Sequence, residues 1–583
     1  MNPWRHRLRR VRFAIGALIA GVLIAAAVAM GLMQLLLPLI ARDPDLLASF
    51  LSGRMHRPVQ FQSVQGQWQP SGPLLIVHGL TLGAAYPGGE SLSLPRAAIK
   101  FDLGAWLRPA HRWVTLRLTG LELRVEHDTD GWRVLGLGNP NERQQAPLQS
   151  LPVDLDLHAL KVSIFDAVSQ RTYEILSPHL RAVTVGEDLR FGGDVARRGA
   201  PQPITVIGRF NASRQDADLY ITGRNLDLAA MTRGVDLQGY TLRGGRGDLE
   251  LWGSWRGNRL QSAAARVDLR ALAFAAPAGR HAELPVFSGV LGLRRVAAGY
   301  ELRYRPGSAA RQDIDAAGGA LLHLYENNDA RGITLAARGI DIAPLVSLSA
   351  LLPQVPAGLS DWIDAAHPRG RITAAAARWR SDGRYAVAAR LQGIGAAPVQ
   401  NAPGVDPLDA TLRGDEEALA VQIPQQAFTL RLPRLFRWPF ALKRFGGTLV
   451  TWRDADGRHL GSDSIVFDND DVGGEGRGEV ILPDDGGKPF LDVYVVATHA
   501  NVPATKLFLP LTVPRSTIDW LDRGLVSGRV DWGRVLLRGD LADWPFVDHK
   551  GRFDAMGQVS DAVLNYGPDW PHAEQIDATA EFV

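Results

Sequence analysis

The feature that most constrains this chain is an uncharged stretch near its start. Residues 13–41 read FAIGALIAGVLIAAAVAMGLMQLLLPLIA and contain no charged side chain. About 18 apolar residues are enough to cross a bilayer as one helix. Five arginines precede this stretch, and Asp43 and Asp45 follow it. The sequence therefore predicts a transmembrane helix at 13–37, behind a cytoplasmic basic tip at 1–12.

A cleaved signal peptide is the alternative interpretation of the same stretch. Ala27-Val28-Ala29 has the A-x-A form of a cleavage site. The apolar run continues past this triplet to Ala41, which makes it longer than the apolar region of a signal peptide. An uncleaved, single-pass anchor is favoured. It places the N-terminus in the cytoplasm and the bulk of the chain across the membrane, which is the periplasm if the cell is a Gram-negative bacterium.

Downstream of the anchor, apolar and polar residues alternate, as is typical of strands with one apolar face. Leu116 and Leu118 follow this pattern, and Gly120 marks a one-residue phase slip that predicts a bulge or kink. The clearest segment is 151–166. Its predicted apolar side chains are Leu151, Val153, Leu155 and Leu157. Its predicted solvated side chains on the opposite face are Asp154, Asp156 and His158.

Helical segments are scarce, and they repeat. Residues 352–371 and 509–529 share Leu-Pro, Trp-hydrophobic-Asp and Gly-Arg elements in the same order, so that Trp362 aligns with Trp520 and Gly370 with Gly528. A weaker third copy begins near residue 223 and has its Gly-rich strand start at 244–247. Repetition of strand-rich units predicts an elongated array rather than a compact globule.

Motifs for catalysis and metal binding are missing from the sequence. The chain has no cysteine, its 14 histidines form no HExxH or HxH motif, and no serine lies in a GxSxG elbow. The five arginines of the basic tip exceed the net charge of +3, so the remainder of the chain is not basic and nucleic acid is not an expected partner. We expect no enzyme activity, catalytic residue, metal site or cofactor.

Two further features have an ordinary structural interpretation. Segment 468–479, DNDDVGGEGRGE, has carboxylates at the spacing of a calcium loop, but Val472 stands where an oxygen ligand is required. Its flanks have strand patterns, so we expect a hairpin turn. Most of the tryptophans are expected in core or edge packing, with a minority on an apolar binding surface.

The most specific motif lies at 539–571. There a Gly-x-Leu-x-x-Trp-Pro-Phe element precedes a Phe-x-Ala strand and a Tyr-Gly-Pro-x-Trp-Pro turn. This block resembles the YhdP family of AsmA-like proteins, as do the basic tip, the membrane helix, residues 46–68 and the helical repeat. The resemblance implies an inner-membrane-anchored sheet that curls into an apolar gutter and reaches toward the outer membrane. It also implies movement of glycerophospholipids between the membranes without catalysis.

Alternation by itself fits both a gutter and an ordinary β-sandwich, because each needs one apolar face. The repeats and the scarcity of helices favour the gutter. The predicted fold is therefore mostly β: a single N-terminal transmembrane helix followed by an elongated, repetitive, twisted antiparallel β-sheet that forms an apolar groove, with a few short helices. Members of the family are longer, and the strand-like run at 578–582 has no cap, so we expect this chain to be an N-terminal fragment.

The predicted organisation follows from these features. After the tip (1–12) and the transmembrane helix (13–37) come a juxtamembrane helix (43–57), β-groove (58–338), a helical insertion (339–370), more β-groove (371–502), a repeated helical insertion (503–527) and further β-groove (528–583).

The expected function is that of a periplasmic bridge, anchored in the inner membrane, that moves glycerophospholipids between the inner and outer membranes through the groove. A non-transporting scaffold for envelope assembly or regulation is the alternative. Expected partners are phospholipids, the inner membrane, and outer-membrane or periplasmic proteins. The candidate groove-lining residues are Leu116, Leu118, Leu151, Val153, Leu155 and Leu157.

Overall fold

The computed structural model describes most of residues 58–583 and a few residues before them. Gaps lie at 85–90, 103–104, 106–113, 129–130, 136–152, 168–169, 236–238, 308–317, 328–329 and 352–356, and at single positions elsewhere. The predicted basic tip, nearly all of the predicted transmembrane helix and most of the predicted juxtamembrane helix lie outside the described residues. Within the described part of the chain, no helix has the length and apolar character needed to cross a membrane.

The described residues are mostly β-strand, as predicted. The strands are β1 (Val59–Gln60), β2 (Ser63–Gln69), β3 (Gly72–Leu82), β4 (Leu92–Phe101), β5 (Val114–Thr119), β6 (Glu122–Asp128), β7 (Gly131–Val134), β8 (Val153–Asp166), β9 (Arg171–Val185), β10 (Asp188–Arg197), β11 (Ala200–Asn211), β12 (Asp216–Asp227), β13 (Thr241–Arg256), β14 (Arg259–Ala275), β15 (His281–Val296), β16 (Gly299–Pro306), β17 (Gly319–Asn327), β18 (Ala330–Asp341), β19 (Arg369–Arg380), β20 (Tyr385–Ala396), β21 (Gly404–Asp415), β22 (Ala418–Arg431), β23 (Phe440–Asp454), β24 (Gly457–Asp468), β25 (Val472–Leu482), β26 (Phe490–Asn501), β27 (Leu525–Asp540), β28 (Arg552–Leu564) and β29 (Ala573–Phe582).

Short helices interrupt the strands. They are α1 (Leu228–Thr232), α2 (Ile342–Ser349), α3 (Ala357–Ala366) and α4 (Arg515–Gly524), with 3₁₀ helices at Pro277–Gly279 and Val502–Phe508. The chain divides into two compact units, Met1–Leu272 and Ala273–Val583.

In the first unit the strands pair mainly with their sequence neighbours in antiparallel fashion, from β8 through β13 and from β3 to β5. The exception is β8, which pairs parallel with both β5 and β6. The prediction of an antiparallel sheet is therefore wrong at this point. A parallel pairing needs a crossover connection instead of a tight turn. Between β6 and β8 in the sequence lie residues 135–152 and strand β7, which forms an antiparallel hairpin with β6.

The predicted kink at Gly120 is confirmed. Gly120 has φ of 74° and lies between β5 and β6, which continue along the same neighbour, β8. Opposite it, Ala159 has φ of 52°. The alternation of side chains therefore shifts by one residue at the same position in β8 and in the segment formed by β5 and β6. The apolar side chains stay on one face before and after this shift. A left-handed backbone is unusual for a non-glycine residue, so the position of Ala159 was not evident from the sequence.

In the second unit, the strands from β15 to β29 each pair antiparallel with the next and belong to a single sheet. This order argues against the sandwich alternative, which needs two facing sheets. The turn at 468–472 is a hairpin, as predicted, because the Asn469 side-chain oxygen accepts hydrogen bonds of 2.9 Å from the backbone N–H groups of Asp471 and Val472.

The sequence repeat has a common backbone form. Helices α2 and α3 lie between β18 and β19, and the 3₁₀ helix at Val502–Phe508 and α4 lie between β26 and β27. Gly370 and Gly528 have φ of 129° and 127°, which favours glycine at both positions. The arginine after each glycine pairs with the last residue of the preceding strand, Asp341 or Asn501. The weaker copy around β12, α1 and β13 has the same register, with Asp227 opposite Arg246.

Candidate functional site

The structure places four of the six candidate groove residues side by side. Leu116 lies directly opposite Leu155, and Leu118 directly opposite Leu157, across the parallel pairing of β5 and β8. Opposed residues of neighbouring strands project to the same face of a sheet. Val153 is paired with Val114 through its backbone, but its side chain lies outside the described residues, as does Leu151 entirely.

These candidates lie where the apolar face is covered by other parts of the chain. Leu157 is 6% exposed and belongs to a buried cluster that includes Leu94 and Leu160. Leu118 and Leu155 are partly buried and pack against the same cluster. A ligand would have to displace protein to reach Leu157, so the role of these residues as a lining stays a prediction.

The same face continues from β8 across the first unit. The register connects Leu155 and Leu157 to Ala182 and Leu180 on β9, and then to positions on β10 through β13. The apolar side chains that this register places on one face are Leu189 and Phe191, Val206 and Phe210, Leu219 and Ile221, and Leu249 and Leu251. Leu189 and Phe210 are exposed, which makes the face accessible at this end.

Beyond the phase slip, this face borders an apolar cavity of about 500 Å³. Ile164, Ile175 and Ile204 line it from the strands, and Met231 lines it from α1. Arg197 lies at the edge, donates hydrogen bonds to the carbonyl groups of Met231 and Arg233, and holds its guanidinium 5.6 Å from the centre of the Tyr173 ring. The cavity therefore has an apolar interior and a cationic group at its border.

The second unit carries the larger accessible apolar face. Each strand from β15 to β27 contributes alternate residues to it, and opposed pairs such as Leu302 with Leu322 and Leu335 with Ala377 show that they lie in register. Eight large side chains on this face are between 36% and 58% exposed. They are Leu302, Leu324, Ile333, Leu335, Trp379, Tyr385, Leu460 and Val535. A contiguous exposed apolar surface of this kind marks an interaction site.

Aromatic residues reinforce one part of this face. Trp379 and Tyr385 are opposed across β19 and β20 with ring centres 5.5 Å apart, and Ile333 is opposite Trp379 on β18. None of these three residues was among the sequence candidates. The alternation Ile333, Leu335, Ala337 could have indicated the strand face, but the sequence does not show that it remains exposed.

The opposite face of the sheet carries the charges. In the second unit, Glu301 accepts hydrogen bonds from Arg294 and Arg303, and these lower the pKa of its carboxyl group. In the first unit, the predicted solvated carboxylates of β8 are instead buried, with Asp154 and Asp156 only 4% and 9% exposed. Arg181 pairs with Asp154, and Arg117 with Asp156, so each buried charge has a partner.

Asp156 remains ionised because of its partners. Burial by itself would raise the pKa of Asp156, but hydrogen bonds from Arg117 and His179 lower it to about 2. In the first unit the charges lie on the face opposite Leu155 and Leu157, and that charged face also carries the exposed side chains of Ile207 and Trp252.

Comparison with known proteins identifies the family of this chain. A sequence model of the YhdP protein family matches residues 1–583. This chain belongs to the YhdP protein family. The resemblance read from the sequence is thereby confirmed. Among curated proteins, the chain is similar to the intermembrane phospholipid transporter YhdP of Escherichia coli (strain K12), with 21% identity over 613 residues. The matched region covers 99% of this chain and 46% of that protein, so the chain spans about half the length of this relative.

Proposed function

We propose that this chain moves glycerophospholipids between the inner and outer membranes along the apolar face of its sheet, without catalysis. The observation that carries the proposal is the exposed apolar face of the second unit, where side chains from successive strands lie in register. Membership of the YhdP family supports it. In this proposal the face lines a groove, and the lipid head group stays in water.

The energetics of the face suit a lipid that slides. Each methylene group removed from water contributes about 0.8 kcal/mol, so acyl chains favour such a surface over water. Neighbouring strands are about 4.8 Å apart and present similar leucine, isoleucine and alanine side chains at each step. Because one position differs little from the next, an acyl chain meets no deep free-energy minimum that would trap it.

The proposal includes the topology that the sequence favours. The uncharged run and the arginines before it support a single-pass inner-membrane anchor at 13–37, with a cytoplasmic N-terminus and a periplasmic bulk. The division into groove segments at 58–338, 371–502 and 528–583 and helical insertions at 339–370 and 503–527 is part of the same proposal. Outer-membrane or periplasmic proteins would complete the path at its far end.

Site-specific photo-crosslinking tests the proposal in cells. A crosslinker in place of Leu335 lies on the apolar face, whereas one in place of Ala336 lies on the opposite face of the same strand and is also exposed. We expect mass spectrometry to find phospholipid adducts at position 335 and none at position 336. Capture of protein alone at position 335 would reject lipid movement along this face and favour the envelope scaffold.

A further inference from the structure

Three potential metal ligands converge on the polar face of the first unit. Asp156 and His158 are alternate residues of β8, so their side chains share a face. His179 on β9 lies directly opposite His158. The sequence shows only an Asp-x-His pair and a distant histidine. The prediction of no metal site from the sequence was made without the pairing of β8 with β9, which brings His179 opposite His158.

The ligand atoms lie close together. The Asp156 Oδ1 atom is 2.8 Å from Nε2 of His179 and 3.1 Å from Nε2 of His158, and all three atoms lie within 4.8 Å of one another. The imidazole rings are 4.9 Å apart between centroids. The His158 Nε2 atom is shielded from solvent and shares the Asp156 Oδ1 atom with Nε2 of His179. Two imidazole nitrogens therefore converge on one carboxylate oxygen.

We propose that Asp156, His158 and His179 bind a divalent transition metal ion, with zinc as the ion that fits best. Zinc takes imidazole nitrogen and carboxylate oxygen ligands at about 2.0–2.2 Å, which in a tetrahedral site sets the ligand atoms roughly 3.3 Å apart. The distances of 2.8 and 3.1 Å are about 0.5 and 0.2 Å shorter than that separation. Coordination would replace the contact that the two histidines share on Asp156 with a separate metal bond for each of the three ligand atoms.

The surroundings support a built site. The second carboxylate oxygen of Asp156, Oδ2, accepts a hydrogen bond of 2.8 Å from Arg117, which orients the carboxylate and leaves Oδ1 for the metal. Arg181 is engaged by Asp154 and does not compete for Asp156. Adjacent strands fix the three positions, while the two histidine side chains stay 39% and 51% exposed, so an ion can enter. Water would complete the coordination of a bound ion.

Metal titration of the full chain tests the site. After removal of metal with a chelator, isothermal titration with zinc chloride should show one site per chain. H158A and H179A should each weaken binding by at least about 100-fold, since loss of even an outer partner costs about 10–100-fold. H281A removes an exposed histidine outside the cluster and should leave affinity unchanged. Zinc binding that H158A and H179A do not weaken would overturn the proposal, as would no binding at all.

A second measurement separates loss of the site from loss of the fold. Zinc should raise the thermal unfolding midpoint of the wild-type chain and of H281A, and should not shift H158A or H179A, because only a ligand of the folded state stabilises it. Cobalt should give the visible absorption of a four-coordinate site in the wild type alone. Calcium and magnesium prefer all-oxygen ligands and should not compete. Equal zinc stabilisation of H158A and the wild type would refute the site, whatever the outcome of lipid crosslinking.

Discussion

His459 on β24 is a single residue whose protonation is coupled to folding. Its side chain is buried, with 5% exposure, and its ring stacks on Trp452 at 4.9 Å. Nδ1 contacts the carboxylate of Glu479, and Nε2 lies 2.7 Å from Asp454. The hydrogen bond with Glu479, together with that to Asp454, raises the pKa of His459 above its ordinary value. Two carboxylates thus hold the imidazole in its charged form.

The sign of the resulting pH dependence follows from this shift. A raised folded-state pKa contributes stability that is present below the unfolded-state pKa of about 6.5 and is lost as pH rises through the folded-state value. We expect H459Q to have a lower thermal unfolding midpoint than the wild type at about pH 6. The difference between the two midpoints should become smaller toward about pH 9. Circular dichroism melts of both proteins across that range check this. A gap that is independent of pH would contradict it.

At the scale of the element, Arg437 fastens the repeated helical segment to the sheet. It lies between β22 and β23 and donates hydrogen bonds of 2.7 and 3.0 Å to the two carboxylate oxygens of Asp522 on α4. It also donates to the carbonyl group of Lys506 in the 3₁₀ helix at 3.3 Å and lies 4.2 Å from the centre of the Trp438 ring. One side chain therefore connects a loop with both helices of the insertion.

Loss of this pair should cost stability. Arg437 is only 20% exposed, so we expect R437Q to lower the free energy of unfolding by about 1–2 kcal/mol. R453Q, which breaks the exposed pair with Asp484, should change it by less than about 0.5 kcal/mol. Urea unfolding of the two variants measures both changes in the free energy of unfolding. Equal changes would argue that Arg437 does not hold the helical insertion in place. The hydrogen bond from Arg437 lowers the pKa of Asp522 in the folded state. The stability that this pair contributes is therefore lost as pH falls through the folded-state pKa of Asp522.

Local patterns predict elements well in this chain because they depend on neighbouring residues. Alternation predicts strand β8 and its apolar face. Gly120 predicts the kink, and the polar run after Asp468 predicts the hairpin turn. Pairing between strands is not local, so the parallel register of β5 with β8 was missed. The burial of Asp156 could not be foreseen from spacing along the chain either, and its approach to His179 depends on the antiparallel register of β8 with β9.

At the scale of the whole molecule, the central question is why so much apolar surface stays exposed to water. Exposed leucines at single positions are ordinary, but a face on which opposed residues such as Leu324 and Ile333 are both 43% exposed is not. Alternation reveals that the face is apolar and cannot reveal that it lacks a protein cover. In the proposed function, lipid acyl chains provide that cover.

A charge placed on this face should remove bound lipid without unfolding the chain. Ile333 is already 43% exposed, so I333E loses little buried area, yet an acyl chain crossing the strand would have to pass a carboxylate. We expect the amount of phospholipid that copurifies with the full chain, counted by mass spectrometry, to fall several-fold in I333E. T334E introduces the same charge on the opposite face of β18 and should leave the amount of lipid unchanged. Equal lipid in both variants, with unchanged thermal midpoints, would show that lipid does not lie along this part of the sheet.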